Sequence, residues 1–243
     1  EDTGKARLYI EMDKNITKIP KIVINHSTPC WPENVGGRDI EESRKIIVKE
    51  IKKMVGNNTM IVNSHEAASE REWGWGIPIV HGMNPDLYFD LPKEPRVISA
   101  LSPGGWDTYY NRETMNMVIR ELQDSYGYTL WWCKVNCLIS RNNFDLYRDF
   151  LGRSLLYFDP SIRTPMNRGR TESMMSGACV IQVEGAHDID RWAKNGENMI
   201  LVPNKPKVIA KILKSLMEDH YDEAKQIGAN GRKMAIKEFG VLR

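Results

Sequence analysis

The sequence predicts an α/β fold with parallel sheets, and three observations carry that prediction. Short apolar runs alternate with segments of helical period along most of the chain. The segments before residue 90 run strand, helix, strand, helix, strand, a succession that favours a parallel sheet. The alternation breaks once, at Asp90-Leu91-Pro92-Lys93-Glu94-Pro95, where two prolines and three charges carry no apolar stripe, and then resumes.

Taken in order, PKIVINH (20–26) reads as a buried strand ending in polar residues, and residues 39–55 place apolar side chains at helical spacing after a loop rich in Pro and Gly. TMIVNS (59–64) is a second strand, 64–73 a helix, and IPIVHGM (77–83) a third strand. Past the break come RVISALS (96–102), a Gly-Gly turn, a helix over 111–125, YTLWWCKVN (128–136), a helix near 143–152 and SLLYFDPS (154–161). A loop and short helix around RGRTESMMSG (168–177) lead into ACVIQV (178–183), a helix near 187–195 and MILVP (199–203). Two long helices, 205–219 and 221–239, close the chain. Three strands before the break against five after it divide the sequence into a domain over 1–92 and a more complete one over 93–243. A three-stranded α/β domain is small, so the chain is expected to begin partway through its first domain.

Composition bounds the function. With 243 residues, 41% of them hydrophobic, the chain can bury a full core. A formal charge of +2 gives no chain-wide basic surface for wrapping nucleic acid, so anion recognition has to be local. No apolar run nears the roughly 20 residues that span a bilayer, and the first residues look like neither a signal nor a transit peptide, so a cytoplasmic location is expected. Cys30, Cys133, Cys137 and Cys179 sit in or beside apolar strand-like stretches without a second pair or a nearby His to complete a zinc spacing. Reduced, buried thiols are expected, and no metal site.

The stretch 168–177 raises the functional question, because a basic, glycine-bearing loop runs through a short helix straight into a buried strand. The first turn of a helix leaves N–H groups unpaired and carries partial positive charge, so a phosphate docks there when small side chains admit it. Gly169 and Ser173 allow that approach. Glu172, at the head of the helix, is a poor phosphate ligand but can accept two hydrogen bonds from a ribose diol. On the residues alone it can equally be a carboxylate that favours the helix dipole.

The run PMNRGRTESMMSGACVIQVEGAHDIDRWAKNGENMILVP resembles the C-terminal nucleotide-sugar site of retaining glycosyltransferases of the GT-B fold (glycosyltransferase family 4, group 1), in which a Glu opens a small-residue helix. ESMMSG, ACVIQV, EGAHDI and NGENMILVP occupy the places of that helix, the buried strand after it, the following loop and a G-x-N/E-G-x-L-V stretch. The segment IVNSHEAASEREWGWGIPIVHGMNPDLYF is similar to the family's passage from a strand through a helix to the interdomain linker. The resemblance implies two Rossmann-like domains, the N-terminal one incomplete here. It assigns Arg168, Gly169, Arg170, Thr171, Glu172 and Ser173 to donor binding, with Glu172 on the ribose, and Gly104 and Gly105 to close backbone approach. It places Arg112 where a Lys clamps the diphosphate, an exchange that keeps charge and adds a bidentate grip. It puts His26, at the end of the first strand where polar residues face the interdomain crevice, near the donor sugar. A satisfied loop histidine and a solvated helix-start Arg112 are the competing readings.

One departure stands out: the family's motif has an earlier Glu, and the matching position here is Thr164. The implied function is metal-independent transfer of a sugar from a nucleotide-diphosphate-sugar donor to an acceptor hydroxyl, with retention and no cofactor. The acceptor classes left open are a glycan, a lipid-linked sugar and a modified nucleic-acid base. Two rivals are a nicotinamide-dependent oxidoreductase, disfavoured by the lack of a G-x-G-x-x-G after a strand, and a degenerate module that binds a nucleotide sugar or a partner without turnover. Family members commonly end in a helix crossing back onto the first domain, and this sequence stops at Glu238-Phe239-Gly240-Val241-Leu242-Arg243, where such a crossing would begin.

Overall fold

The computed structural model describes residues 22–25, 29, 40–99, 110–132, 144–162, 167–186 and 188–241. Their strands form two parallel sheets. The first holds β1 (Ile22–Asn25), β2 (Thr59–Val62) and β3 (Ile77–Pro78) in that order. The second runs β5-β4-β6-β7-β8, with β4 at Glu94–Ser99, β5 at Leu130–Trp132, β6 at Ser154–Asp159, β7 at Cys179–Val183 and β8 at Ile200–Val202. Among the described residues, the strand pairings in both sheets are parallel, as the strand-helix alternation predicts.

Seven helices accompany these strands among the described residues: α1 (Ile40–Val55), α2 (His65–Ala68), α3 (Arg112–Tyr126), α4 (Phe144–Arg153), α5 (Arg168–Met175), α6 (Pro206–Glu218) and α7 (Tyr221–Phe239). The larger sheet carries a core on each face. Val97, Leu156, Phe158, Cys179 and Ile181 meet Met115, Val118 and Leu122 of α3 and Ile209 and Leu213 of α6. The alternate residues Ile98, Tyr157 and Val180 meet Met174 and Met175 of α5, Leu151 of α4 and Phe239 of α7. The period of two thus splits each strand between two helical layers. Cys179 is a buried free thiol, as expected, with burial pushing its pKa up; the other three cysteines lie outside the described residues.

In the smaller sheet Met60 and Val62 face Ile51 and Val55 of α1, with Trp73 closing the cluster. Three elements fall short of the sequence reading. The helix expected over 64–73 stops at Ala68, because Trp73 is drawn into that core at 2% exposure while its N–H bonds Ala67 O, and Gly74 turns the chain at a positive φ of 72°. Of the strand expected over 77–83, only Ile77 and Pro78 form a strand paired with β2, while Met83 makes an isolated bridge to Gly240. The helix expected near 187–195 is a single 3-10 turn, Ile189–Arg191, entered through Asp188 in the left-handed region at φ 58°.

The segment 90–95 is not a free tether. Lys93 is almost wholly buried at 5% side-chain exposure, with Nζ donating to Gly152 O and Ser176 O, each at 2.6 Å, and pairing with Asp90 at 3.0 Å. It caps the ends of α4 and α5, and burial draws its pKa down. Close packing fixes Gly177 and Gly228: a Cβ on the first, which has φ 77°, would overlap the Asp90 carboxylate, and one on the second would overlap Gly177 O. At the other end, Met83 N donates to Phe239 O at 2.8 Å and Val241 N donates to Met83 O at 2.9 Å. The last turn of α7 therefore already reaches back to the segment that follows β3.

Candidate functional site

The site is organised by the carboxyl end of β6. Asp159 there is fully buried, accepting from Ser161 N at 3.0 Å, Ser161 Oγ at 2.6 Å and Asn167 Nδ2 at 3.0 Å. Asn167 in turn caps α5, its Oδ1 accepting from Gly169 N at 3.0 Å. From the other side Asn111, at φ 48°, donates its Nδ2 to Pro160 O at 3.1 Å and to Asn204 Oδ1 at 2.9 Å, which Thr114 Oγ1 also reaches at 2.7 Å. Two asparagines thus bring the starts of α3 and α5 to the same strand end, the edge where open α/β sheets bind ligands.

That edge holds the sequence candidates that can be placed. Arg112 is the first residue of α3 and is exposed. Arg168 opens α5 with its side chain 74% exposed. Gly169 lends its N–H to the cap rather than leaving it open. Thr171 and Ser173 are fully buried, the former with its Oγ1 on Asn167 O at 3.3 Å. Arg170 is also fully buried: its Nη1 donates to Gln182 Oε1 at 2.6 Å and lies 3.8 Å from Asp159, and its guanidinium sits 5.3 Å from the Trp192 ring centroid. Its side chain faces the sheet rather than an incoming anion. His26, Gly104, Gly105 and Thr164 lie outside the described residues.

Glu172 is the fifth residue of α5, a full turn past the cap, and not at the helix head as the sequence reading has it. The helix begins earlier because Asn167 supplies the cap. The Glu172 side chain is 12% exposed and its two oxygens accept from two phenols, Tyr147 Oη on Oε2 at 2.6 Å and Tyr88 Oη on Oε1 at 3.2 Å, while Arg168 Nη2 stands 3.9 Å away. Burial raises its pKa, and the bond from Tyr147, the Arg168 charge and the bond from Tyr88 work against that rise. The carboxylate is thus largely buried, bonded by two neutral donors and with one cation near it.

A further contact joins the two sheets' units. The Asp188 carboxylate accepts from the N–H groups of His65 at 2.6 Å and Glu66 at 2.8 Å, at the start of α2. This residue belongs to an Asp-x-Asp triplet, Asp188-Ile189-Asp190, a pattern that the metal-independent reading of the sequence wrongly takes to be absent. Asp188 is spent on those amides and Asp190 points to solvent. No group of three or more His, Cys, Asp or Glu able to hold a metal occurs among the described residues.

No protein-family profile and no curated protein matches the chain. Solved structures do. HepE from Anabaena, in complex with UDP and glucose, superposes with a TM-score of 0.64 at 16% identity over 91% of this chain and 68% of its own. Sucrose-phosphate synthase from Thermosynechococcus elongatus gives 0.63 at 16% over 90% and 63%. A TarM variant of S. aureus with fondaparinux, alpha-GlcNAc-glycerol and UDP gives 0.66 at 13% over 94% and 50%. The fold is GT-B. The described strands fall into a three-stranded and a five-stranded parallel sheet. None of the described helices is long and apolar enough to cross a membrane.

Proposed function

We propose that this chain carries the donor site of a retaining, metal-independent glycosyltransferase that takes a nucleotide-diphosphate sugar, with Glu172 accepting the ribose hydroxyls and the α5 N-terminus facing the diphosphate. The observation that carries the reading is the Glu172 carboxylate of α5, whose two oxygens each accept from a phenol. Arg168 and Arg112 would gather charge on the departing diphosphate, the role a divalent ion fills elsewhere. In the transfer, the bond from the anomeric carbon to the diphosphate oxygen breaks with its electron pair going to the diphosphate. The acceptor oxygen bonds the same carbon on the same face, and its proton leaves with the diphosphate. His26 is the proposed neighbour of the reacting sugar. HepE and TarM, crystallised with UDP, motivate the donor class; the acceptor is a glycan, a lipid-linked sugar or a modified base.

The full chain incubated with UDP-, GDP- and ADP-sugars and acceptor glycans, with EDTA present, tests the reading. Nucleoside diphosphate released together with an α-linked product from an α-linked donor supports it, and an inverted anomer removes the retaining assignment. Binding of donor without turnover favours the non-catalytic module that Thr164, in place of an acid, suggests.

A further inference from the structure

The two tyrosines on Glu172 come from separate elements, and neither belongs to the motif that pointed to the site. Tyr147 lies on α4 at 7% exposure; Tyr88 lies at 4%, just past the 3-10 turn Pro85–Leu87 that follows β3. Tyr88 is itself fixed, its carbonyl accepting from Arg232 Nη1 of α7 at 3.1 Å. Phenols are informative partners for a buried carboxylate. A carboxylate has about four acceptor positions. One phenol on each oxygen fills about half of them and fixes the plane of the group, while Arg168 stands 3.9 Å away with its side chain 74% exposed. A structural Glu at this depth is ordinarily matched by a buried cation, as Asp159 is by Arg170 a few ångströms along the same helix.

Building on the donor reading, we propose that Tyr147 and Tyr88 are positioning residues that orient Glu172 so its remaining acceptor positions fit a vicinal diol, making the site selective for ribonucleoside over 2′-deoxyribonucleoside diphosphates. The shorter bond assigns Tyr147 the larger share. A site whose acceptor is desolvated and aimed rejects a ligand lacking the matching hydroxyl, because the acceptor is then left unpaired. The groups facing the carboxylate are Tyr147 from α4, Tyr88 from the segment after β3 and Arg168 from α5, with Arg148 close enough to act on Tyr88. Removing a hydroxyl also removes a bond to the charged form, so the pH below which nucleotide affinity is lost moves upward in the variants.

The test is calorimetric titration of the full chain with UDP, GDP and ADP and their 2′-deoxy counterparts, followed by Tyr147→Phe and Tyr88→Phe, which keep the rings and hence the packing. The wild-type chain is expected to favour the ribonucleotide by at least about tenfold, and Tyr147→Phe to bring that ratio to within about threefold by weakening the ribonucleotide alone. Tyr88→Phe gives a smaller change in the same direction. In a Glu172→Gln background the tyrosine substitutions leave the ratio unchanged. A ratio that survives both Phe variants, with no movement of the pH midpoint, reduces the tyrosines to packing and overturns the inference while leaving the donor site standing. Equal binding of ribo and deoxy forms by the wild type does the same. Binding of no nucleoside diphosphate overturns both.

Discussion

In the five-stranded unit every residue of β6 and β7 is buried, and helices lie against both faces of the sheet. In the three-stranded unit Met60 and Val62 pack beneath α1, while Ile22, Ile24, Ile77 and Ile79 stand between 53% and 67% exposed. Register places Ile24 beside Ile61 and Ile61 beside Ile77, so one apolar row crosses that sheet. Parallel sheets are stable when both faces are covered. Among the described residues, the buried apolar core is concentrated in the second unit. The polar network of Asp159, Asn167, Arg170 and Gln182 shows the same concentration.

Substitutions can break or sharpen that contrast. Arg170→Met leaves Asp159 buried without its cation and should cost about 3–5 kcal/mol in urea unfolding. In the first unit Ile24→Thr, at an exposed position, should stay within about 0.5 kcal/mol. An equal response from the two would dissolve the distinction. Asp188→Ala removes the carboxylate that joins the units and should lower stability by about 1.5–3 kcal/mol. Hydrogen exchange would then quicken at the His65 and Glu66 amides and hold steady in β6 and β7.

For Glu172→Gln it is the sign of the effect that tells. Burial raises the Glu172 pKa above its unfolded value, so the stability it contributes is present below the ordinary carboxylate range and is lost as pH rises through the folded value. The Gln variant should therefore melt higher than wild type at pH 8, with the gap closing near pH 4. A lower melting temperature at pH 8 would mark Glu172 as a structural group.

Much of this was legible in the sequence. The succession of strands and helices along most of the chain followed from apolar runs and helical periods. What escaped has physical causes. Asn111 and Asn167 are ordinary loop residues until the chain brings both to the end of β6, and Tyr88 and Tyr147 reach Glu172 across 84 and 25 residues, a proximity no local period encodes. Arg170 reads as a cation free to bind phosphate, because spacing alone does not reveal that its helix face is turned to the sheet. Helix ends misled for a similar reason: tertiary burial of Trp73 and the left-handed turn at Asp188 overrode local helical propensity.

The central claim is that Glu172 belongs to a nucleoside diphosphate site. Thermal unfolding of the chain with UDP, GDP, ADP, dTDP, their common sugars and NAD, repeated with Glu172→Ala, tests it directly. A ligand at about 100 times its dissociation constant should add about 2.7 kcal/mol to stability. The account predicts such a shift with one nucleoside diphosphate and its loss in the Glu172→Ala variant; a shift of equal size in both proteins, or with NAD alone, would contradict it.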